Sequence, residues 1–437
     1  MPFYFVVSNK ICTFAAKSKY MEKELFRTII AENQEYIGRI PLVQRPLDLE
    51  EYGNYVFVGV RQAGKSYLLY QRIQQLLANG VDIENIVYVN FDDERLQGMS
   101  VTDFDLILQA YHSMYDSQPI FFFDEIQNVE GWANFARRLA NQKYRIYITG
   151  SNAKMLSRDI ETVLGGRYLD ISVFPYSFSE YLKAVGVLVS KNWQYGRKAN
   201  ELQRHFRTYF DWGGFPELVH FQEKRIWLNS LYNRIFFNDL VVRHKIKNED
   251  ALRLCVRRLA ESVKQPCSLN RLSNLIKATG TPCSPSTVME YVRYLQESCL
   301  LISIDNYVSK FVEKETIKKH YFVDNGLLHL FINNPNTSLL ENLCTITLYK
   351  KYGKGLYYYN RNIEVDFYVP DEGLAVQASY QMSDEETIER EAKALVTLHG
   401  LYPLKRAMII TYEDEGEIVR EGLKIEIKPA WKWVMEG

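Results

Sequence analysis

Short apolar runs alternate with amphipathic stretches over the first half of this chain. Five runs of β-forming residues are interleaved with four stretches of helical periodicity. Parallel strands need long crossover connections, usually helices, so the alternation predicts an α/β fold with a parallel sheet covered on both faces. The predicted strands are residues 55–58, 86–91, 120–123, 145–149 and 168–173, and the predicted helices are residues 66–79, 103–116, 132–141 and 153–164.

The pattern changes after this region. Residues 176–247 are helical in periodicity, with one break at Gly213-Gly214-Phe215-Pro216, and predict a small helical lid. Three helical patterns closed by a strand follow in residues 248–310, where Ser268 and Ser284-Pro285 are predicted helix starts, and this order is typical of a winged-helix domain. Residues 320–437 read as a final α+β region. Residues 1–20 are expected to form a loose extension before a first domain of residues 21–175.

Composition limits the classes of function. Lys+Arg 53 equals Asp+Glu 53, so the whole chain has no net pull toward nucleic acid or anionic lipid, and any such binding must come from a local patch. Six cysteines without a C-x-x-C pair argue against a zinc ribbon or a disulfide framework and predict reduced thiols in a cytoplasmic protein. No apolar run approaches the roughly 18 residues that span a bilayer.

A phosphate-binding motif follows the first predicted strand. The segment Gly59 to Ser66 matches G-x-x-x-x-G-K-[ST] in full and stands between a strand and a helix. Backbone N–H groups of such a loop wrap phosphates, Lys65 reaches the β- and γ-phosphates, and the Ser66 hydroxyl is a Mg²⁺ ligand. The predicted nucleotide-binding residues are Gly59, Val60, Arg61, Gln62, Ala63, Gly64, Lys65, Ser66 and Tyr67.

The third predicted strand supplies the second half of such a site. Four apolar residues are followed by Asp124 and Glu125, and the carboxyl ends of strands are where open α/β sheets bind ligands. Asp124 is predicted to hold Mg²⁺ through water. Glu125 is predicted to orient and deprotonate the attacking water.

Two further candidates lie near the next strand ends. Residues 149–152 place polar side chains beside the expected γ-phosphate, with Ser151 as the first choice for sensing it and Asn152 as the second. Arg167 precedes the fifth strand and has two interpretations. It either supplies positive charge to the transition state of a neighbouring subunit or is a structural arginine at a helix end.

With these residues in place, the chain resembles a widespread family of bacterial and archaeal AAA+-type ATPases that carry a P-loop module followed by a C-terminal domain of unknown function. The resemblance implies an ASCE-type nucleotide fold that uses ATP and Mg²⁺, and it leaves the biological role open. It covers nearly everything from Met21 onward. The segments that carry it are residues 59–66, 90–94, 123–127, 149–151, 166–167, 174–178, 213–217 and 364–367.

The last region resembles the frame of restriction-endonuclease-like folds. Glu341 in a helix and Asp366 in a strand match two carboxylates of that frame. The acidic-x-Lys pair of the next strand is replaced by Gln377-Ala378-Ser379, which removes an anionic metal ligand and the cation near the nucleophile. We therefore expect an inactive nuclease-like scaffold, with an active nuclease as the less favoured alternative.

The third helix of the winged-helix region presents few cations. Arg293 stands beside Glu290, and the lysines after residue 309 are interleaved with Glu313 and Glu315. Such a face is thin for reading a DNA groove, so packing on the core or on a protein partner is slightly favoured over sequence-specific DNA binding.

Two functions remain open from the sequence. The first is an ATPase in which Lys65, Ser66, Asp124 and Glu125 hydrolyse ATP to move DNA- or protein-binding domains in residues 250–437, with assembly into an ATP-dependent oligomer possible through Arg167. The second is a STAND-like switch with little turnover, whose nucleotide state sets partner affinity. An ATP-regulated nuclease is the third and least favoured interpretation.

Overall fold

A computed structural model describes residues 22–151, 164, 166–189, 191–382 and 384–436. The predicted extension of residues 1–20, nearly all of the predicted helix 153–164, and Asn152 lie outside the described residues. Helices and strands are numbered below in chain order among the described residues. No described helix is long and apolar enough to cross a bilayer.

The first domain is built on a five-stranded sheet in which all neighbouring strands run parallel. The strand order is β2-β3-β4-β1-β5, which confirms the predicted parallel α/β sheet. In this order β4 lies between β1, which leads into the phosphate loop, and β3, which ends at Asp124. The strands are β1 (Tyr55–Gly59), β2 (Ile86–Asn90), β3 (Ile120–Asp124), β4 (Arg145–Gly150) and β5 (Leu169–Val173).

Both faces of this sheet are buried, as β3 shows most clearly. Phe121 and Phe123 join an apolar cluster on one face, whereas Ile120 and Phe122 join another on the opposite face, because successive strand side chains point to opposite sides. A strand buried on both faces has no position for a polar residue before its end. The helices that cover the sheet are α1 (Lys23–Ile37), α2 (Lys65–Ala78), α3 (Phe104–His112) and α4 (Trp132–Asn141).

The described regular elements of the predicted lid are all helical. A capping box at Ser177 and Glu180 starts the first of them, with Ser177 accepting a hydrogen bond from the Glu180 amide. The lid consists of α5 (Phe178–Ala184), α6 (Gly196–Trp212), a 3₁₀ turn (Pro216–His220), α7 (Lys224–Arg234) and a π-helix (Ile235–Val242).

The rest of the described chain forms a nine-stranded mixed sheet in the order β13-β14-β12-β11-β10-β9-β7-β8-β6. Its strands are β6 (Cys267–Ser268), β7 (Leu301–Asn306), β8 (Ile317–Phe322), β9 (Tyr357–Asn360), β10 (Glu364–Val369), β11 (Leu374–Ala378), β12 (Arg406–Thr411), β13 (Gly416–Arg420) and β14 (Leu423–Pro429). The helices around it are α8 (Glu249–Glu261), α9 (Leu269–Lys277), α10 (Pro285–Glu297), α11 (Phe311–Thr316), α12 (Asn325–His329), α13 (Asn336–Tyr352), α14 (Glu385–Leu401) and α15 (Ala430–Glu436). Short 3₁₀ turns elsewhere are Ile83–Asn85, Glu94–Leu96, Val101–Asp103, Ile126–Asn128, Gly353–Gly355 and Pro370–Glu372.

Local signals located the helices of this second half well. Ser268 caps α9 by accepting from the Arg271 amide, and Ser284 caps α10 with Pro285 as its first residue, as predicted. The strand pairing adds what the local signals do not contain. β7 pairs antiparallel with β8 and parallel with β9, so the strands assigned above to a winged-helix domain and to a separate C-terminal domain belong to one sheet.

A buried carboxylate joins the lid to this second sheet. Asp324, just after β8, accepts hydrogen bonds at 2.8 Å from the amides of Gly214 and Gly326. Gly213 has φ +78°, and a Cβ there would lie 1.9 Å from the Asp324 Oδ1 atom. The Gly213-Gly214 pair is therefore needed for the close approach of the lid to Asp324. Burial raises the pKa of the Asp324 carboxyl to about 6.

We expect Asp324→Asn to destabilise the fold by about 1 to 3 kcal/mol, because an amide nitrogen would face one of two buried N–H donors and leave it unpaired. Urea unfolding followed by circular dichroism measures the change. Asp371→Asn, at an exposed position in the 3₁₀ turn between β10 and β11, is the matched control and should leave the free energy of unfolding nearly unchanged. Equal stability of Asp324→Asn and the wild type would contradict this account of the joint.

Candidate functional site

The phosphate loop runs from the end of β1 into the first turn of α2. Gly64 has φ +94°, a left-handed conformation that glycine adopts without strain. Gly59 packs directly on β5, where a Cβ would lie 2.1 Å from the Val173 carbonyl oxygen. Val60 and Ala63 are fully buried, so their packing in the apolar core holds the loop backbone in place.

Lys65 is folded back onto this loop. Its ammonium group donates to the carbonyl oxygens of Gly59 and Val60 at 3.2 and 3.3 Å, and lies 3.4 Å from Glu125 Oε1. The side chain is almost fully buried. The predicted phosphate-binding cation and the predicted base are thus brought together as an ion pair.

Asp124 ends β3 with both carboxylate oxygens occupied. The Tyr88 hydroxyl donates to Oδ2 at 2.7 Å, and the Thr149 hydroxyl donates to Oδ1. Burial raises the pKa of this carboxyl, and the charge of Glu125 adds to that rise, whereas hydrogen bonds from Ser66, Thr149 and Tyr88 oppose it. Ser66 and Asp124 therefore lie together as a hydroxyl and a carboxylate, the hard oxygen donors that suit Mg²⁺.

Glu125 adopts a strained backbone conformation. Its φ is +50°, which non-glycine residues adopt mainly in functional sites and tight turns, and its amide donates to the Thr149 hydroxyl at 2.9 Å. Burial alone would raise the pKa of the Glu125 carboxyl, but Lys65, Gln127 and Arg61 outweigh burial and lower it. Glu125 is therefore held as a carboxylate, the form that can accept a proton.

Gln127 connects the two predicted catalytic positions Glu125 and Ser151. Its side-chain amide donates to Glu125 Oε2 and contacts the Ser151 hydroxyl at 3.4 Å. Its own carbonyl oxygen is buried and has no hydrogen-bond partner among the described residues. The structure thus brings Ser151 within one side chain of Glu125.

Tyr88 and Gln127, which help to hold this site, were given no role in the sequence-based prediction, and Thr149 was placed near the expected γ-phosphate but was not chosen as a site residue. Thr149 orients both acids, because β4 lies next to β3 and the two strands end at the same edge. The order of strands in a sheet cannot be read from a single sequence, so nothing in the local pattern favoured Thr149 over Ser151 as the residue that contacts Asp124 and Glu125. Tyr88 lies on β2, which flanks β3 on its other side.

The remaining predicted residues lie farther out. Tyr67 is exposed on α2 and packs edge-on against Tyr70. Arg167 stands before β5, and its guanidinium donates to the Leu164 carbonyl oxygen at 3.4 Å. Because β5 is parallel to β1, Arg167 lies at the sheet edge opposite the phosphate loop. Within one chain the structure does not bring Arg167 to the site.

The lid contacts the phosphate loop through side chains of the loop itself. Arg61 makes a bidentate ion pair with Asp239 of the π-helix, with both N–O distances 3.0 Å. Arg243 shares the same Asp239 Oδ1 at 3.2 Å. Gln62 donates to Glu217 at 3.3 Å. Any rearrangement of the loop must therefore change these contacts with the lid.

Arg45 connects the loop to α5 in the same way. Its guanidinium donates at 3.1 Å to the Ala63 carbonyl oxygen and at 2.8 Å to Glu180 Oε1. A third bond, at 2.9 Å, goes to the Phe174 carbonyl oxygen just after β5. One buried arginine thus binds the loop, the end of the sheet and the first lid helix.

A second cluster of charges lies in the nine-stranded sheet, around the fully buried Lys319 of β8. The Lys319 ammonium lies 3.2 Å from Glu341, 3.1 Å from Glu364 and 3.1 Å from Asp366. Burial alone would lower the pKa of Lys319, but its acidic neighbours raise it well above its usual value. Burial raises the pKa of Glu341 to about 7, and the nearby Asp366 adds to that rise. The sequence-based prediction did not include Lys319 in this cluster, because Lys319 and Glu341 lie in different elements that are separated along the chain by another helix.

Gln377 and Ser379, the pair that replaces the expected acid and lysine, do not contact the Lys319 ammonium. Gln377 Oε1 accepts from the Asp366 amide at 2.7 Å, and its amide group donates to Glu391 at 2.9 Å. Ser379 donates to the Gln381 carbonyl oxygen at 3.2 Å. Gln377 therefore acts as a cross-strand bridge beside the carboxylates.

The chain is similar to several known proteins. Residues 52–182 match the family model of an AAA domain, and residues 203–338 match a domain of unknown function, DUF8612. An uncharacterized protein of Methanocaldococcus jannaschii, MJ1544, is 31% identical over 432 residues, which cover 94% of this chain and 95% of that protein. An uncharacterized protein of Haemophilus influenzae is 31% identical over 391 residues, covering 86% and 93%. Among solved structures, a Walker-type ATPase of Pyrococcus abyssi matches with a TM-score of 0.41 and 12% identity, covering 72% of this chain and 97% of that chain.

We expect Lys319→Met to destabilise the protein by about 3 to 5 kcal/mol, because it leaves the buried Glu341 carboxylate without its counter-ion. Urea unfolding checks this. Lys318→Met is the matched control and should cost no more than about 1 kcal/mol, since Lys318 is partly exposed and pairs with Asp305 at 2.9 Å. Adding Glu341→Gln to Lys319→Met should recover part of the loss. A Lys319→Met protein as stable as the wild type would show that the cluster is not held by charge.

Proposed function

Because this chain belongs to the family of MJ1544 and its Haemophilus influenzae relative, and because residues 52–182 match an AAA domain, we propose that it is an ATP hydrolase. The observation that carries this proposal is the convergence of Lys65, Ser66, Asp124 and Glu125 at one edge of the parallel sheet. A cation, a hydroxyl and two carboxylates at the end of a phosphate loop are the groups that phosphoryl transfer to water needs.

In this proposal each group has one role. The loop amides and Lys65 bind the phosphates, Ser66 and Asp124 hold Mg²⁺, and Glu125 accepts a proton from the attacking water. Mg²⁺, when bound, neutralises charge on the phosphate oxygens. Thr149 orients Asp124 and Glu125 together, and Ser151 acts through Gln127 on the position of Glu125.

The Lys65–Glu125 ion pair suggests how nucleotide binding prepares the site. The Lys65 ammonium is paired with Glu125 and donates hydrogen bonds to two carbonyl oxygens of its own loop. Phosphate oxygens would compete for the Lys65 ammonium and release Glu125 to face water. The base then becomes available only after the phosphates are in place.

We place the output of this step in the lid and the second sheet. Arg61 pairs with Asp239 and Arg45 pairs with Glu180, and both acids belong to the lid. A movement of the loop therefore disturbs these two ion pairs between the loop and the lid. The π-helix that carries Asp239 is a rare conformation that is frequent at functional sites. Arg167 takes part only if a second copy of the chain supplies it, which makes an ATP-dependent oligomer part of the proposal.

The partner of residues 250–437 is proposed to be a protein in preference to DNA. Helices α8 to α10 followed by the β7–β8 hairpin are the element order of a winged helix, and we keep that assignment as a proposal. On α10, Arg293 is paired with Glu297, so the exposed charge for a DNA groove is small. At α11, Phe311 and Val312 are exposed, which favours an apolar partner surface.

We also propose that the restriction-endonuclease-like region does not cut DNA. The Lys319 ammonium lies among Glu341, Glu364 and Asp366, where it competes with a divalent cation for the carboxylate oxygens that such a cation would require. Gln377 supplies no charge to this cluster. A cytoplasmic location is proposed as well, and the described cysteines, which are free thiols, are consistent with it.

The slow switch remains the second candidate, and the Lys65–Glu125 ion pair is the observation that favours it. If phosphates bind without fully displacing Glu125 from Lys65, the nucleotide is held and turns over little. Partner affinity would then follow the bound nucleotide and not the rate of hydrolysis.

Substitution of the two paired residues tests the proposed function. We expect Lys65→Ala to lose ATP binding. Glu125→Gln should keep binding and lower turnover by about 10²- to 10⁴-fold, the contribution of a general base. Phosphate release and binding of a fluorescent ATP analogue are the two measurements, with the exposed Glu130→Gln as the matched control.

Unchanged hydrolysis in Glu125→Gln would refute the role of Glu125. Tight ATP binding with negligible turnover in the wild type, with or without added DNA, would instead select the switch.

Incubation of the full chain with plasmid DNA and Mg²⁺ tests the nuclease region. We expect intact DNA after incubation with wild type and with Asp366→Ala alike, because Lys319 occupies the carboxylate cluster. Cutting by the wild type that Asp366→Ala abolishes would overturn the assignment.

A further inference from the structure

A cavity of about 470 Å³ lies between the lid and the nine-stranded sheet, away from the phosphate loop. Apolar side chains from every surrounding element form most of its wall, including Phe178 of α5, Tyr209 of α6, Val376 of β11, Met408 of β12 and Trp433 of α15. Cavities of roughly 300 to 1,000 Å³ with apolar walls and few polar groups are typical of small-molecule sites. Its size and lining therefore match a ligand site.

The polar groups at this cavity are mostly cationic. Lys350, Lys351 and Arg406 line it, against the single carboxylate of Glu436. Arg406 and Glu436 already pair with Glu426 and Lys428, at 3.2 and 2.8 Å. The lining carries more positive than negative side chains and therefore favours an anion. Because Arg406 is already paired with a carboxylate, the lysines are the cations that could bind this anion.

Lys350 is the group best placed to meet such an anion. Its ammonium donates to the Pro175 carbonyl oxygen at 3.0 Å, which uses one of three N–H donors. Burial lowers the pKa of Lys350 to about 8, while the charges of Glu180 and Asp324 oppose that change and Arg45 adds to it. An anionic oxygen in the cavity would supply the partner that water supplies at an exposed lysine.

We propose that this cavity binds a small organic carboxylate, whose head group pairs with Lys350 and whose apolar body packs against Phe178, Val376 and Trp433. A neutral apolar molecule would bury the Lys350 ammonium without a counter-charge. A strongly charged molecule would leave the apolar wall unused. An amphiphilic monoanion satisfies both parts of the lining.

The site is connected to the phosphate loop. Lys350 belongs to α13 and contacts Pro175, which follows the Phe174 carbonyl oxygen that Arg45 holds. The same Arg45 donates to Ala63 of the phosphate loop. A bound carboxylate is therefore expected to change nucleotide affinity, a consequence that rests on the proposed function. Carboxylate binding itself does not, and can be measured without ATP.

Calorimetric titration of the full chain with octanoate and with octanamide tests the proposal. The two probes share the apolar chain and differ in charge. Octanoate should bind about tenfold or more tightly than octanamide, since a charge-assisted hydrogen bond to a buried group is worth about that ratio.

Variants separate the head group from the cavity wall. Lys350→Met should remove the preference for octanoate, whereas Lys354→Met, at an exposed lysine in the turn just after α13 and outside the cavity lining, should keep it. Thr347→Phe, which fills space at the wall but keeps Lys350, should weaken both probes and serves if Lys350→Met does not fold. Absence of octanoate binding to the wild type, equal affinity for both probes, or full octanoate affinity in Lys350→Met or in Thr347→Phe would each overturn the proposal.

Discussion

Burying a carboxylate costs several kcal/mol unless donors or cations surround it, and this constraint governs each joint of the molecule. Asp124 is held by Tyr88 and Thr149 at the end of β3. Similar carboxylates stand at the other joints, and each has its own partner. They are Asp239 with Arg61, Glu180 with Arg45, Asp324 with the Gly214 amide, and Glu341 with Lys319.

These pairs couple the phosphate loop, the lid and the second sheet to one another. The phosphate loop is linked to the lid by two ion pairs and the lid to the second sheet by Asp324, so the loop, the lid and the sheet share buried charges as well as apolar contacts. Packing alone tolerates small shifts, whereas a buried ion pair loses most of its stabilisation when one partner moves away. A change at the nucleotide site is thus expected to reach the second sheet through a few named contacts.

Much of the first domain was predictable because its signals are local. Alternating apolar runs located all five strands, and the full P-loop pattern located Lys65 and Ser66 between a strand and a helix. The second sheet was harder. Lys319 joins Glu341 and Asp366 only because β7 pairs with both β8 and β9, which brings β8 close to β10, and pairing between distant strands leaves no mark on the local pattern. The one available signal was the pair of adjacent lysines in β8, because successive strand side chains point to opposite faces and a lysine on a buried face must find a partner.

The amino-acid sequence by itself determined the parallel α/β sheet, the phosphate loop and the pair Asp124-Glu125, because each depends on residues within a few positions of one another. Only the tertiary structure decided that Thr149 orients both acids, that Arg167 lies at the far edge of the sheet, and that Lys319 pairs with the carboxylates around it. The physical reason is the same in all three. Strand order and helix packing bring side chains together across dozens of residues, and the energy of a charge depends on those distant neighbours.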